Sequence, residues 1–260
     1  MGELFVLTPH RTLFQREREQ VQMADGMFLS VLGLGFVLGL KHALDPDHMV
    51  AVSTIVSESK SMKRSSLIGT FWGLGHTMSL LGAGIVVIAL KVQISERIAL
   101  WMEFIVALML ILLGVRAVLK PLRGWTLHVH RHTHDGGTHS HVHVHRPGED
   151  KHQHRHLIRS GARPFLVGMV HGMAGSAALM ILVLATIPSA IAGLIYIAVF
   201  GVGSVGGMLI MSSLISLPFV LTRKRFKLLS EGLQVAAGLF SLGFGLFLVW
   251  QYVFHEHLVY

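Results

Sequence analysis

Apolar residues are grouped along the chain in six long blocks, separated by shorter polar segments. A membrane-crossing helix needs roughly 20 mostly apolar residues to traverse about 30 Å of hydrocarbon, and each block is long enough. The pattern therefore predicts an all-α fold, a polytopic membrane helix bundle. Its six predicted spans cover residues 27–57, 66–90, 98–119, 164–187, 190–221 and 230–254.

The first predicted span is longer than one crossing requires, and it contains Asp45-Pro46-Asp47. Proline removes a backbone donor and its ring clashes with the preceding turn, so a proline inside a helix kinks or breaks it. We therefore expect the first span to be interrupted near Pro46.

The spans divide the chain into four parts. Residues 1–25 form a polar extension whose apolar stretch is too short for a signal peptide. Residues 26–119 form a first half of three spans, and residues 164–260 form a second. Between them lies a polar, His-rich loop, residues 120–163.

Gly39–Ala43 aligns with Gly168–Gly172 at an offset of 129 residues, and Phe71 meets Phe200 at the same offset. A unit of three spans reverses its orientation on repetition, so the halves are candidates for a 3+3 inverted repeat. Shared apolar composition is the alternative explanation of the likeness.

Lys and Arg are concentrated on the side of the predicted bundle that carries loop 120–163. Positive residues are retained on the cytoplasmic side of a membrane. The distribution predicts a multi-pass protein of the bacterial cytoplasmic membrane, with this loop in the cytosol and both termini outside.

Composition excludes several classes of protein. Hydrophobic residues make up 52% of the chain and charged residues 14%, which excludes an ordinary cytosolic enzyme and a largely disordered chain. There is no cysteine, so disulfide frameworks, iron–sulfur clusters and thiolate zinc sites are excluded. The net charge of +8 fits a membrane surface, and we expect lipid rather than nucleic acid as a partner.

Two imidazoles and two carboxylates lie within seven residues of the first span: His42, Asp45, Asp47 and His48. Ionisable residues at membrane depth are costly and usually face a pathway or a partner. Imidazole and carboxylate ligands suit Ni²⁺, Co²⁺ and Zn²⁺, and the lack of sulfur disfavours Cu⁺. The segment predicts a metal pathway, and a polar cap at a helix end is the alternative.

Two further histidines lie within predicted spans. His76 is about ten residues into the second span, at a depth similar to that of His42, which predicts a shared site; a hydrogen bond between helices is the alternative. His171 occupies the position equivalent to His42 in the second half and is a candidate gate or second site. Thr77 and Ser79 are candidate packing or supporting donors. Glu103 and Glu231, near span ends, are expected to be interfacial carboxylates.

The loop is exceptionally rich in histidine, and most of these residues alternate with others. A flexible His tract can chelate metal without a fixed fold, so we expect no ordered structure without metal and weaker binding below about pH 6. The alternative is a solvated linker. The loop histidines are His128, His130, His132, His134, His139, His141, His143, His145, His152, His154 and His156.

His42-x-x-x-x-Asp47-His48, followed by Leu74-Gly75-His76-Thr77, resembles the two signatures of the nickel/cobalt transporter family. The Asp45-Pro46-Asp47 form and the chain length are similar to the urease-accessory nickel permease branch, whereas the His-rich loop is similar to efflux members. The resemblance implies that His42, Asp47 and His48 bind and select the cation, with Asp45 and His76 close by.

These features predict a secondary transporter of Ni²⁺, with Co²⁺ as a second cargo, rather than an enzyme. No phosphate-binding G-x-x-x-x-G-K-S/T motif occurs, so a proton gradient is the expected energy source. We expect no permanently bound cofactor, and a cytosolic metal chaperone is a candidate partner. A membrane metalloenzyme or a metal sensor using the same His/Asp cluster are the alternatives; the direction of transport, the metal preference and the oligomeric state stay open.

Overall fold

The structure, a computed structural model, describes residues 9–59, 61–90, 94–122, 126–134, 137–145, 157–174 and 189–256. The described residues are helical apart from one β-hairpin and short connections. The helices are α1 (Pro9–His42), α2 (Pro46–Val56), α3 (Met62–Leu90), α4 (Glu96–Leu122), α5 (Leu157–Ala174), α6 (Ala190–Arg225) and α7 (Lys227–Trp250), and a π-helical turn (Gln251–His255) follows α7.

The predicted break in the first span is present. Helix α1 ends at His42, and α2 begins at Pro46 after the extended residue Asp45. Proline at the first helical position is favourable because its missing N–H would have no helical partner there. The intervening turn satisfies its own backbone: Leu44 N–H donates to Lys41 O (2.8 Å) and Asp45 N–H donates to His42 O (3.1 Å).

Five described helical segments are long and apolar enough to cross a membrane, and they lie in α1, α3, α4, α6 and α7 with its π-helical turn. Large apolar side chains point outward from each of them, as expected for helices surrounded by lipid. The predicted fourth span begins in α5 and continues into residues 175–188, which lie outside the described residues. Helix α1 passes without interruption through the expected boundary at residues 25 and 26.

Helices from the two halves of the chain pack against each other. Helix α1 lies against α6, α3 lies between α5 and α6, and α4 lies against α7. Small residues bring the backbones together. Gly203 on α6 abuts the carbonyl of Phe36 on α1, and Gly75 on α3 abuts the carbonyl of Phe165 on α5. Such close approach is typical of helices that pack in lipid, where burial of apolar surface supplies little driving force.

The expectation that the His-rich loop lacks ordered structure is wrong for two of its segments. Strands β1 (Thr126–His134) and β2 (Gly137–His145) pair antiparallel, with His128 opposite His143 and His132 opposite His139. The alternation that spaces the histidines also has the two-residue period of a strand, and β-branched valine and threonine favour the extended backbone. The expectation of disorder came from the composition of the loop and took no account of this periodicity.

We predict that Gly75→Ala destabilises the bundle by about 1–3 kcal/mol, the usual cost of overpacking, because the added Cβ would meet the backbone of α5. The measurement is thermal unfolding in detergent. Gly82→Ala is the matched control, since Gly82 lies on the same helix with no neighbouring atom within 4 Å. Equal melting temperatures for the two variants would contradict the close contact.

Candidate metal site

Four histidines and two aspartates meet at the break between α1 and α2. His42 is the last residue of α1, and Asp47 and His48 are in the first turn of α2. Helix α3 supplies His76 and α5 supplies His171. The interruption allows His42 and His48 to converge, with ring centroids 4.5 Å apart.

His42, His48 and His76 form one group of possible metal ligands. One ring nitrogen from each lies within 4.8 Å of those of the other two. The Nε2 atoms of His42 and His76 are 3.2 Å apart. Two facing imidazole nitrogens at that separation share one proton in a hydrogen bond, or both turn their lone pairs toward a cation. The chemistry of three convergent imidazoles suits a borderline divalent ion.

Asp47, His48 and His171 form a second group with the same ligand spacing. The Nε2 atom of His171 lies 2.6 Å from a carboxylate oxygen of Asp47, and its ring centroid lies 4.1 Å from that of His48. His48 therefore belongs to both groups, which form one continuous array of donors. The carboxylate gives the array a negative charge that can compensate a cation in a low-dielectric setting.

Asp45 acts on the array through His42. Its carboxylate lies 2.7 Å from Nδ1 of His42, while Nε2 of the same ring faces His76. A carboxylate on one ring nitrogen fixes the tautomer and the orientation of the imidazole, leaving the other nitrogen as the ligand atom. In this geometry Asp45 is placed to orient His42, and Asp47 is placed to contact a bound cation.

Three histidines of the array are shielded from solvent, whereas His42 and Asp47 are partly exposed. His48, His76 and His171 are at most 1% exposed. In the described part of the chain, their Nδ1 atoms are buried without a hydrogen-bond partner. A buried polar atom that lacks a partner costs free energy, so these nitrogens are candidates for contact with a ligand.

Two aromatic side chains that the sequence analysis did not assign to the site border it at different ends. Trp72, fully buried on α3, lies 5.8 Å from His48 and 5.6 Å from His171 between ring centroids. Phe200 on α6 lies 5.5 Å from His42. The position of Trp72 four residues before His76, on the same face of α3, is a signal that could have identified it.

The other candidate residues have more peripheral positions. Ser79 donates a hydrogen bond to the carbonyl of His76 (2.8 Å), and Thr77 donates one to the carbonyl of Gly201 on α6 (3.2 Å). Glu103 is half-buried and accepts a hydrogen bond from the Tyr252 hydroxyl, a contact that its position near a span end did not indicate. Of the loop histidines, eight are in β1 and β2, whereas His152, His154 and His156 lie outside the described residues.

The comparison with protein families identifies the family of the chain. The family model for NicO, a high-affinity nickel-transport protein, matches residues 28–250. The chain belongs to the NicO family. It is therefore a multi-pass membrane protein of a nickel transport family, in agreement with the resemblance of its two His motifs to nickel/cobalt transporters.

Individual relatives agree with the NicO assignment. The chain is 39% identical over 218 residues to the urease accessory protein UreH of Bacillus sp. (strain TB-90), which covers 84% of this chain and 90% of the relative. It is also 26% identical to the chloroplast proteins FOR GROWTH AND FERTILITY 2 and 1 of Arabidopsis thaliana, covering 83% and 87% of this chain but only 55% and 60% of theirs. No solved structure matches the chain at a significant level.

We predict that Asp45→Asn weakens Ni²⁺ binding by about 10- to 100-fold, the usual cost of removing a carboxylate that orients a ligand histidine. His48→Ala should weaken binding further, because it removes a donor from both groups. Isothermal titration of a variant lacking residues 126–156 measures the membrane site without the loop. Glu96→Gln, at an exposed carboxylate, is the control, and equal affinities for it and Asp45→Asn would contradict the assignment.

Proposed function

We propose that this NicO protein is a secondary transporter that carries Ni²⁺ into the cell across the bacterial cytoplasmic membrane. The observation that carries the proposal is the buried array at the helix break, with His48 common to both ligand groups. His42, Asp47, His48, His76 and His171 bind the ion, and Asp45 orients His42. The family description supports nickel as the cargo.

The donor set supports Co²⁺ as a second cargo. Imidazole nitrogen with one carboxylate and no sulfur is acceptable to both ions, and Ni²⁺ binds more tightly than Co²⁺ to a given set of such ligands. The carboxylate of Asp47 compensates part of the charge that would otherwise make a partly dehydrated divalent ion too costly at membrane depth.

Inward transport is supported by the relatives. A high-affinity carrier is useful for capturing a scarce ion, and the family is described as high-affinity. The relative from Bacillus is named as a urease accessory protein, and urease is a nickel enzyme. We infer that this chain supplies nickel to an enzyme inside the cell, with a cytosolic metal chaperone as the receiving partner.

Alternating access is supported by two sets of contacts that mirror each other. The carbonyl of Phe200 abuts Gly39 on α1, and the carbonyl of Trp72 abuts Gly168 on α5. Trp72 and Phe200 are 128 positions apart, and Gly39 and Gly168 are 129 apart. The equivalent of Phe200 at that offset is Phe71, so the two contacts correspond to within one residue, which supports the inverted repeat. We infer that Phe200 closes the array beside His42 and that Trp72 closes it beside His48.

The His-rich hairpin is proposed as a metal-chelating element on the cytosolic side. Its eight described histidines occupy even-numbered positions of β1 and odd-numbered positions of β2, and the register sets His128, His130 and His132 opposite His143, His141 and His139. Residues directly opposite each other in an antiparallel pair share a face of the ribbon. The register thus pairs six of the eight histidines directly across the two strands, which favours joint chelation over a plain linker.

We predict that cells expressing the chain in trace Ni²⁺ accumulate more nickel than cells expressing His42→Ala, because that variant loses a donor and the partner of His76. Elemental analysis of washed cells measures this. His255→Ala is the matched control at an exposed histidine outside the array. A variant lacking residues 126–156 separates transport from trapping by the loop.

Three outcomes would contradict this proposal in different ways. Lower nickel with better growth at toxic levels would reverse the direction to efflux. Unchanged nickel in every variant would favour a membrane sensor or another metal. Uptake that persists when the pH gradient is collapsed would exclude the proton gradient as the energy source while leaving Ni²⁺ transport intact.

We predict that Trp72→Ala and Phe200→Ala retain Ni²⁺ affinity within about tenfold, because neither residue supplies a ligand, but that each lets the ion leak. Reconstituted vesicles loaded with a nickel-sensitive dye measure downhill entry without an energy source. Phe240→Ala, at an exposed phenylalanine on α7, is the control. Leak rates equal to that of the control would contradict the closing role of both aromatic residues.

A further inference from the structure

A cavity of about 420 Å³ lies apart from the ligand array, at the end of the bundle that carries residues 120–163. Its walls come from the C-terminal end of α2, the first half of α3, the second half of α4 and the beginning of α5. The positive-inside pattern assigns this end to the cytoplasmic leaflet.

Positive charge dominates the lining of the cavity. Arg64 from α3, Arg116 from α4 and Arg163 from α5 all contribute to it. Among the lining residues that the structure describes, Glu58 is the only carboxylate, and it lies 2.7 Å from Lys120 and 3.9 Å from Arg116. A divalent cation would be repelled by this lining, so the cavity does not suit a vestibule for nickel. The excess of guanidinium groups suits an anion.

Apolar residues lie one helical turn deeper than the arginines on all three helices. On α3 they follow Arg64, on α5 they follow Arg163, and on the oppositely directed α4 they precede Arg116. One turn advances about 5.4 Å along the axis, so the charged layer and the apolar layer are distinct. The deeper residues are Leu67, Ile68, Phe71, Leu113, Leu166 and Val167.

The cavity is open toward the lipid. Leu67 and Leu166 line it and are 46% and 58% exposed, on the outer surface of a bundle whose exposed apolar side chains face hydrocarbon. A ligand can therefore enter sideways from the bilayer. A charged outer layer, an apolar inner layer and a lateral opening together match an amphiphile with an anionic head.

We propose that this cavity is a binding site for an anionic phospholipid of the cytoplasmic leaflet. The phosphate lies against Arg64, Arg116 and Arg163, since guanidinium groups bind phosphate oxygens through paired, charge-assisted hydrogen bonds. An acyl chain lies along the apolar layer. Basic pockets between helices on the cytoplasmic side bind anionic lipid headgroups, and the inner leaflet is rich in anionic lipids.

The test measures phosphatidylglycerol binding to the full chain in phosphatidylcholine nanodiscs, by native mass spectrometry and without metal. Arg64→Gln/Arg163→Gln should weaken binding about thirtyfold. Arg18→Gln/Arg97→Gln removes the same charge at exposed positions outside the cavity and should have little effect. Equal weakening by the two pairs would overturn the proposal, because it would reduce binding to net charge.

Two further measurements test the phosphate contact and the need for an acyl chain. Arg64→Lys/Arg163→Lys keeps the charge but loses the paired guanidinium bonds, so its affinity should fall between those of the unsubstituted chain and the Gln pair. A loss equal to that of the Gln pair, with an intact unfolding temperature, would overturn the charge-assisted phosphate contact. Inorganic phosphate and glycerophosphoglycerol, which lack acyl chains, should not displace the lipid at equal concentration. Displacement by either would identify a free phosphate site instead. Because no metal is added, failure here leaves the transport proposal untouched.

Discussion

Pro46 separates α2 from α1, a helix long and apolar enough to cross a membrane, and so frees backbone groups at the break. In hydrocarbon each such group would cost several kcal/mol, so irregular backbone is tolerated only when it is enclosed by protein. Here the backbone of the turn between α1 and α2 bonds to itself, and α6 packs against both helices. The break also brings four imidazoles and two carboxylates together, and such groups, which are costly in lipid, stabilise one another there.

Close packing of the helices brings histidines from separate helices to the break. Glycines at the crossing points let the carbonyls of neighbouring helices approach, and this brings His76 and His171 within reach of His48. Larger side chains at those crossings would separate the helices by more than a hydrogen bond can span. The same crossings place Trp72 and Phe200 beside the array, so residues that pack the bundle also border the candidate ligands.

Much of this arrangement could be predicted from the chain. Long apolar blocks identify membrane helices, and Pro46 between two aspartates identifies the break, because each reflects a local property of the backbone. The residues that complete the array are a matter of tertiary packing. His171 lacks an adjacent carboxylate in the sequence, and its imidazole contacts the carboxylate of Asp47, which lies 124 positions away in the chain. The hairpin was missed because the His-rich composition was taken to indicate disorder although the histidines alternate, and the cavity because its arginines come from three separate helices.

The sharing of His48 between the two ligand groups has a consequence for stoichiometry. A neutral imidazole has one free nitrogen lone pair, because its other ring nitrogen carries the proton, so His48 can serve one cation at a time. Two ions in the two groups together would compete for that lone pair and repel each other at short range. If the array is the transport site that we propose, it therefore takes up nickel one ion at a time.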